Sequence, residues 1–306
     1  MRHVTDRTGL VLFTAASLLA GANSVGIRFS NRELDPLWGA GLRFGAAAVL
    51  LLAIMAARRL PMPRGKALAG AAAFGMLNFG IPFALAYYAL VHVHAGLAQT
   101  LLSLVPLVTL LLSVSEHQER FQAQLLIGTV LAVTGVAVIA QAPIRGEVPV
   151  PALLAVLGAV LSFSQASILV HRLPTLHPVT VNAVGMATAA AALLAGSLAA
   201  GDQWVLPERA ETWWAIAYLV LAGSVLLFIL YVQLIDRWGP SRSSYAFVVI
   251  PVVTIMLSAW LDDEPLTWSL LIGGPLVLLG VYLGALRRHG NTPADPPATS
   301  GVGGST

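Results

Sequence analysis

The chain has 306 residues, of which 57% are apolar and only 10% are charged. Soluble domains carry about 25% charged residues, so this composition, with a mean hydropathy of +0.81, excludes a soluble globular protein. Disorder over most of the chain is excluded too, because disordered segments are poor in apolar residues. The absence of cysteine removes disulfides, thiolate metal sites and thiol nucleophiles. The net charge of +3 includes no run of five like charges, so a nucleic-acid partner is not expected.

Ten apolar segments follow one another between loops that carry most of the charges. Each approaches the roughly 20 residues that a helix needs to cross a bilayer, and none alternates apolar and polar residues as the strands of an outer-membrane barrel do. The sequence therefore predicts an all-α membrane protein with ten transmembrane helices, at residues 8–28, 36–57, 66–89, 95–115, 121–140, 151–171, 178–200, 212–235, 241–261 and 266–286. Residues 289–306, rich in Pro, Gly, Ser and Thr, are predicted to form a disordered cytoplasmic tail.

Lysine and arginine residues are distributed unequally between alternate loops. If the N-terminus lies in the cytoplasm, the inner loops and termini hold twelve of them, whereas the outer loops hold only Arg28, Arg32, Arg145 and Arg209. Cytoplasmic loops of membrane proteins are enriched in these residues. The distribution predicts a multi-pass protein of the cytoplasmic (inner) membrane with both termini in the cytoplasm.

An internal repeat appears when the second half of the chain is shifted by 145 residues onto the first. The identical residues that this shift superposes are Pro106 and Pro251, Thr109 and Thr254, Glu119 and Glu264, Gly128 and Gly273, and Gly135 and Gly280. The chain is therefore predicted to hold two five-helix repeats, residues 1–143 and 150–288. Because five is odd, the second repeat must enter the membrane in the opposite orientation, and such inverted repeats are the architecture from which alternating access follows.

This architecture favours a secondary transporter, an exporter or exchanger of a small organic metabolite. A channel or a scramblase-like membrane protein is the alternative, because inverted repeats also occur in channels.

The residues of the repeat also resemble a known family. A proline-interrupted fourth helix, the turn Glu119-Arg120-Phe121 and a glycine-spaced fifth helix recur in the second half, where the turn is Glu264-Pro265-Leu266. With the start of the second helix, residues 38–44, this ordered set resembles the EamA family of the drug/metabolite transporter superfamily over residues 8–286. The resemblance implies a ten-helix carrier with both termini inside. It implies no particular substrate, because members move amino acids, sugars, nucleosides and drugs.

Two prolines mark the predicted substrate-binding site. Pro106 and Pro251 are expected near the middle of helices four and nine, where proline removes a backbone hydrogen bond and frees a carbonyl group. Interrupted helices at corresponding places in two halves are the best pointer to a transporter binding site. Polar residues precede each proline at helical spacing, Gln99 and Ser103 in the first half and Ser244 in the second. We expect this face to line the pocket, although polar side chains also serve simply to hold helices together.

Further candidate substrate-binding residues are the polar side chains Asn23, Asn78 and Gln165, of which Asn23 and Gln165 lie in the equivalent helices one and six. Arg43 is the one charge well inside a predicted helix, and facing lipid would cost it about 2.5 to 3.5 kcal/mol. It is predicted to be a counter-charge for an anionic group of the substrate. The alternatives are that it snorkels outward or that it bonds the carbonyl groups of a broken helix.

The absence of certain residues and motifs disfavours several classes of function. All fourteen Asp and Glu residues are predicted to lie in loops or tails, which disfavours a carboxylate proton relay. No GxxxxGK[ST] motif is present for ATP hydrolysis, and neither HExxH nor GxSxG is present, so an intramembrane enzyme is the least favoured class. The expected partners are a small-molecule substrate and membrane lipid, with a homodimer as an open option. No cofactor and no metal are expected.

Overall fold

The computed structural model describes residues 6–93, 95–115, 123–140, 149–173, 176–261 and 268–283, and every regular element within these ranges is helical. We number the helices in chain order as α1 (Arg7–Ser30), α2 (Pro36–Ala57), α3 (Lys66–His92), α4 (Ala95–Leu102), α5 (Val105–Ser115), α6 (Ala123–Ala140), α7 (Val150–Arg172), α8 (Pro178–Ala200), α9 (Ala210–Trp238), α10 (Pro240–Ser243), α11 (Ala246–Leu261) and α12 (Trp268–Val281). Both termini, the predicted tail and the turns at Glu119 and Glu264 lie outside the described residues.

The length and hydropathy of the helices fit a multi-pass membrane protein. Seven stretches of the described residues are long and apolar enough to cross a membrane: α1, α2, α3, α7, α8, α9, and α10 together with α11. Shorter apolar stretches lie in α5, α6 and α12. The helices coincide with the predicted segments apart from a few residues at their ends, where helix boundaries are least well defined.

Helices α3 and α9 each contain a π-helical segment, at Met76–Gly80 and Leu221–Leu226 respectively. The same 145-residue shift that superposes the repeated prolines superposes the starts of these segments. In α3 the π segment ends just before Pro82, which has no N–H to donate to a carbonyl of the preceding turn. A π-helical turn is wide enough to accommodate such an interruption without ending the helix.

A carbonyl group in each π segment accepts a hydrogen bond from a helix of the other half of the chain. Ser162 of α7 donates through Oγ to the carbonyl oxygen of Leu77 at 2.7 Å. Asn23 of α1 donates through Nδ2 to the carbonyl oxygen of Gly223 at 3.1 Å. These bonds provide partners for backbone carbonyl groups that have no water to bond to inside a bilayer.

Short turns divide the predicted helices four and nine. One turn, at residues 103–104, separates α4 from α5, and the other, at residues 244–245, separates α10 from α11. Pro106 therefore lies in the first turn of α5, where its missing N–H costs no hydrogen bond. The predicted interruption of helix four is therefore observed, as a break at residues 103–104 just before Pro106. Pro251, in contrast, lies inside α11.

Corresponding helices of the two halves pack against each other, α2 on α8 and α6 on α12. A Cβ added to Gly135 would come within 2.8 Å of the carbonyl oxygen of Gly273, and one added to Gly280 within 2.7 Å of the carbonyl oxygen of Gly128. These are the four glycines that the repeat superposes in pairs. Because the early part of each helix lies against the late part of the other, α6 and α12 run antiparallel and contact each other reciprocally.

Helix α8 also approaches its neighbours through small residues. On α2 the site for a Cβ at Gly45 lies 3.9 Å from Ala190, an ordinary contact. On α3 a Cβ added to Gly75 would lie only 2.2 Å from the carbonyl oxygen of Gly185. The backbones of α3 and α8 therefore touch at this glycine pair, as small residues allow in membrane bundles.

The N-terminal end of α1 contacts the second half of the chain. At its start, the Asp6 carboxylate accepts hydrogen bonds from Gly9 N at 3.1 Å, from Arg237 Nε at 2.8 Å and from Trp238 Nε1 at 2.9 Å. The bonds from Arg237, Gly9 and Trp238 lower the pKa of Asp6 below its usual range. Asp6 thus caps α1 and joins it to the end of α9.

After α1, the residues that lead into α2 contact the loop between α8 and α9. The Asp202 carboxylate accepts a hydrogen bond from the backbone N–H of Trp38 at 3.2 Å, and the Asp35 carboxylate accepts one from the backbone N–H of Gln203 at 2.7 Å. The rings of Trp38 and Trp204 stack with their centroids 4.6 Å apart. This loop therefore covers the N-terminal end of α2.

Candidate functional site

A cavity lies between six helices, three from each half of the chain. The lining comes from α1 (Ala16, Ala20, Asn23, Ser24 and Ile27), α3 (Phe83, Ala86 and Leu90), α4 (Ala98, Gln99 and Leu102), α7 (Val156, Ala159 and Phe163), α9 (Leu227, Phe228 and Tyr231) and α11 (Ala246, Phe247 and Ile250).

Aromatic rings form a continuous wall of the cavity. Phe83 contacts Phe163 and Phe228 edge to face, with ring centroids 5.7 Å and 6.2 Å apart. The ring of Phe247 lies 5.3 Å from that of Phe163 and 6.0 Å from that of Tyr231. Aromatic contacts of this kind stabilise one another, and the wall offers an apolar surface to an aromatic or aliphatic part of a ligand.

Four polar side chains line the cavity. Gln99 of α4 donates a hydrogen bond through Nε2 to Ser24 Oγ of α1, and both side chains are buried. Asn23 uses its Nδ2 on the carbonyl of Gly223, while its Oδ1 has no hydrogen-bond partner among the described residues. The hydroxyl of Tyr231 lies 3.5 Å from Ser167 Oγ. These groups supply neutral donors and acceptors, which fix the orientation of a ligand in an apolar pocket.

No charged side chain belongs to the described lining, and Arg43 lies outside it. Arg43 is 1% exposed. Its Nε donates to Ser224 Oγ and its Nη2 to the carbonyl oxygen of Gly223, each at 2.8 Å. The carbonyl of Gly223 therefore accepts from both Asn23 and Arg43, and the guanidinium is bonded to the π segment of α9.

The other predicted site residues are not part of the described cavity lining. Asn78 is buried within the π segment of α3, and its Nδ2 has no partner among the described residues. Gln165 is half-buried on α7. The remaining four lie at the broken helices, where Ser103 and Ser244 form the turns and Pro106 and Pro251 are buried in α5 and α11. Of the nine predicted residues, the structure brings Asn23 and Gln99 together at the cavity.

Sequence reasoning missed the aromatic wall and Ser24. One signal for the wall was available, because Phe83 and Phe228 are superposed by the 145-residue shift. The hydropathy of the sequence does not reveal the aromatic wall, because these phenylalanines lie in segments that are apolar throughout. No feature of the sequence marks Ser24 as a site residue. Its place in the site is recognised only from its hydrogen bond with Gln99 of α4. Of the described residues, no three His, Asp or Glu side chains come together as a metal site would require.

Comparison with known proteins places this helical bundle among multi-pass inner-membrane transporters. The uncharacterized inner membrane transporter YedA of Escherichia coli (strain K12) is 28% identical over 88% of this chain and 90% of its own length. The probable amino-acid metabolite efflux pump of Salmonella typhimurium is 25% identical over 86% of this chain and 90% of its own. One solved crystal structure, 20% identical, superposes with a TM-score of 0.75 over 92% of this chain and 99% of that chain, which shows the same fold.

The model of the EamA-like transporter family matches residues 7–141 and again residues 150–285. The chain therefore belongs to the EamA-like transporter family, which confirms the resemblance read from the repeated motifs. A family of transporters is in keeping with the expectation that the chain is not an enzyme.

Proposed function

We propose that this protein is a secondary transporter that exports or exchanges a net-neutral organic metabolite with an aromatic or large aliphatic part. The proposal rests on the residues that line the cavity. Its aromatic wall favours an apolar group, and its polar atoms, those of Asn23, Ser24, Gln99 and Tyr231, are neutral. The relatives named as probable amino-acid metabolite efflux pumps support an amino-acid-related metabolite, a class that joins such a side chain to a zwitterionic head.

We further propose that ten spans form two inverted repeats, residues 1–143 and 150–288, and that the cavity opens alternately to the two sides of the membrane. The antiparallel contacts of α6 with α12 and the matching π segments of α3 and α9 support this arrangement. Three cavity-lining helices come from each half. Movement of one half against the other therefore changes access to a site between them, as in other carriers built from repeats.

The direct test is counterflow in proteoliposomes that contain the purified protein. Vesicles loaded with unlabelled phenylalanine or leucine are expected to accumulate the labelled form transiently, whereas vesicles loaded with glutamate are not expected to accumulate labelled glutamate. Repeating the assay with and without a pH gradient distinguishes proton-coupled transport from exchange. A steady ion current with no counterflow of any of the three compounds would contradict the proposal and favour a channel.

A further inference from the structure

The described lining of the cavity carries no charge, yet a buried cation contacts one of its residues. The Cζ atom of Arg43 lies 4.8 Å from the centroid of the Phe83 ring and 4.9 Å from that of Phe44. These distances are those of cation–π contacts. Phe83 also lines the cavity and contacts the lining residues Phe163 and Phe228. The ring of Phe83 therefore contacts the guanidinium and also lines the ligand space.

Arg43 retains unused capacity to bind an anion. Its Nη1 makes no hydrogen bond of normal geometry to any described residue, and the hydroxyl of Tyr87 beside the guanidinium is a neutral polar neighbour. No ion pair of the described residues involves Arg43. An arginine keeps its charge in proteins and presents a planar set of donors that matches a carboxylate. Among the described residues, the charge of the buried guanidinium is therefore balanced only by aromatic faces and neutral acceptors.

The described lining, which includes Phe83, offers no cation to an anionic ligand. A carboxylate without a counter-charge loses its hydration in an apolar cavity and gains nothing comparable, whereas the carboxylate of a zwitterion brings its own ammonium group. With the ring in place, an entering carboxylate meets only neutral polar atoms, such as those of Asn23 and Gln99. If the ring were absent, the same carboxylate could approach the guanidinium through the space that the ring now fills.

We propose that Phe83 determines the charge specificity of the cavity: it admits net-neutral ligands and excludes anionic ones by screening Arg43. This inference rests on the proposed function, because it assigns a residue that selects among ligands of the proposed site. It also makes Arg43 part of a latent anion site that the native chain does not use.

The test compares two probes of the same shape and different charge, 3-phenylpropanamide and 3-phenylpropionate, by equilibrium binding to the purified full-length protein. The native protein is expected to bind the neutral amide at least about tenfold more tightly than the anion. Phe83→Ala is expected to shift this ratio at least about tenfold toward the anion. Phe163→Ala is the matched control, because it removes an equal volume from the same wall without exposing a cation. Its ratio is expected to stay as in the native protein.

Two further variants separate access to Arg43 from simple enlargement of the cavity. Phe83→Leu keeps apolar bulk in front of the guanidinium and is expected to retain the native preference. Adding Arg43→Gln to Phe83→Ala is expected to abolish the gain in anion binding. An equal shift in Phe83→Ala and Phe163→Ala would overturn the inference, as would the same gain in Phe83→Leu. The comparison of the single variants holds even if the double variant does not fold.

Failure of the proposed function gives a different result. If the native protein binds neither probe but Phe83→Ala binds the propionate, the screening role stands and the proposed ligand class fails. If the native protein binds the amide and no Phe83 variant gains anion binding, the ligand class stands and the screening role fails.

Discussion

Arg43 of α2 donates a hydrogen bond to the carbonyl oxygen of Gly223, a residue 180 positions later in the π segment of α9. The contact joins the two halves of the chain deep in the bundle. It is the contact expected if this arginine bonds the carbonyl group of an irregular helix. Its guanidinium donates to the carbonyl group of an irregular helical segment, and Arg43 is not among the described residues that line the cavity.

We expect substitution of Arg43 to destabilise the fold before it alters ligand preference. Arg43→Gln shortens the side chain and removes the bonds to Gly223 and Ser224, and a buried hydrogen bond to a charged group contributes about 1.5 to 3 kcal/mol. Arg43→Lys is expected to be destabilising as well, because an ammonium cannot bond two acceptors in a fork. The measurement is the thermal unfolding midpoint in detergent. Arg58→Gln, at an exposed position, serves as the control and is expected to leave the midpoint unchanged.

Gly75→Ala is expected to be strongly destabilising, because the new Cβ would meet the backbone of Gly185 at 2.2 Å and α3 and α8 would have to separate. Overpacking of this kind costs about 1 to 3 kcal/mol or more. Gly45→Ala faces the same helix α8 with its nearest contact at 3.9 Å and is the matched control. We expect a lower unfolding midpoint for Gly75→Ala only. Similar midpoints for the two variants would show that α3 and α8 are not in backbone contact.

Gln99→Leu is expected to weaken binding of a net-neutral ligand while leaving the protein folded. The change removes a polar group that lines the cavity, and one hydrogen bond contributes about 0.5 to 1.5 kcal/mol, equivalent to roughly a threefold to tenfold loss of affinity. The measurement is the concentration dependence of counterflow. Ser103→Leu should behave differently, since Ser103 is fully buried at the turn between α4 and α5 and outside the lining, so its main effect is expected on folded yield. Unchanged affinity in Gln99→Leu would remove this residue from the site.

The contact of Asp6 with Arg237 predicts a pH dependence of stability. Because the pKa of Asp6 is lowered in the folded protein, its contribution is fully present above the unfolded pKa of about 3.9 and is lost as the pH falls through the folded value. Asp6→Asn keeps a capping side chain but removes the charge. We expect the variant to melt below the native protein by a constant interval above about pH 5, and the interval to shrink below about pH 4. An interval independent of pH down to pH 3 would contradict this account.

Single cysteines in this cysteine-free chain test the orientation. Position Arg64, in the loop between α2 and α3, is predicted to face the cytoplasm, and position Glu208, in the loop between α8 and α9, to face outward. Both side chains are exposed. In intact cells a membrane-impermeant maleimide is expected to label Glu208→Cys, and to label Arg64→Cys only after the membrane is opened. The reverse pattern would overturn the orientation derived from the loop charges.

The sequence by itself determined the helices and their duplication. Inside a bilayer every backbone group must be paired within its own segment, so a long apolar run has essentially one structure available. Loop boundaries such as Asp35-Pro36 and His177-Pro178 are marked by proline at the first helical turn, and the observed helices α2 and α8 begin there. The repeat was equally visible, because it depends on residue identity at a constant spacing.

The tertiary structure alone decided which side chains meet. In segments that are apolar throughout, no periodic pattern shows which face is buried, so the selection of Phe83, Phe163 and Ser24 for the cavity could not be read from hydropathy. The role of Arg43 depends on a carbonyl 180 residues away that is available because α9 forms a π turn at Gly223. Local sequence governs the formation of each helix, whereas the position and partners of a buried polar group follow from the packing of helices distant in the chain.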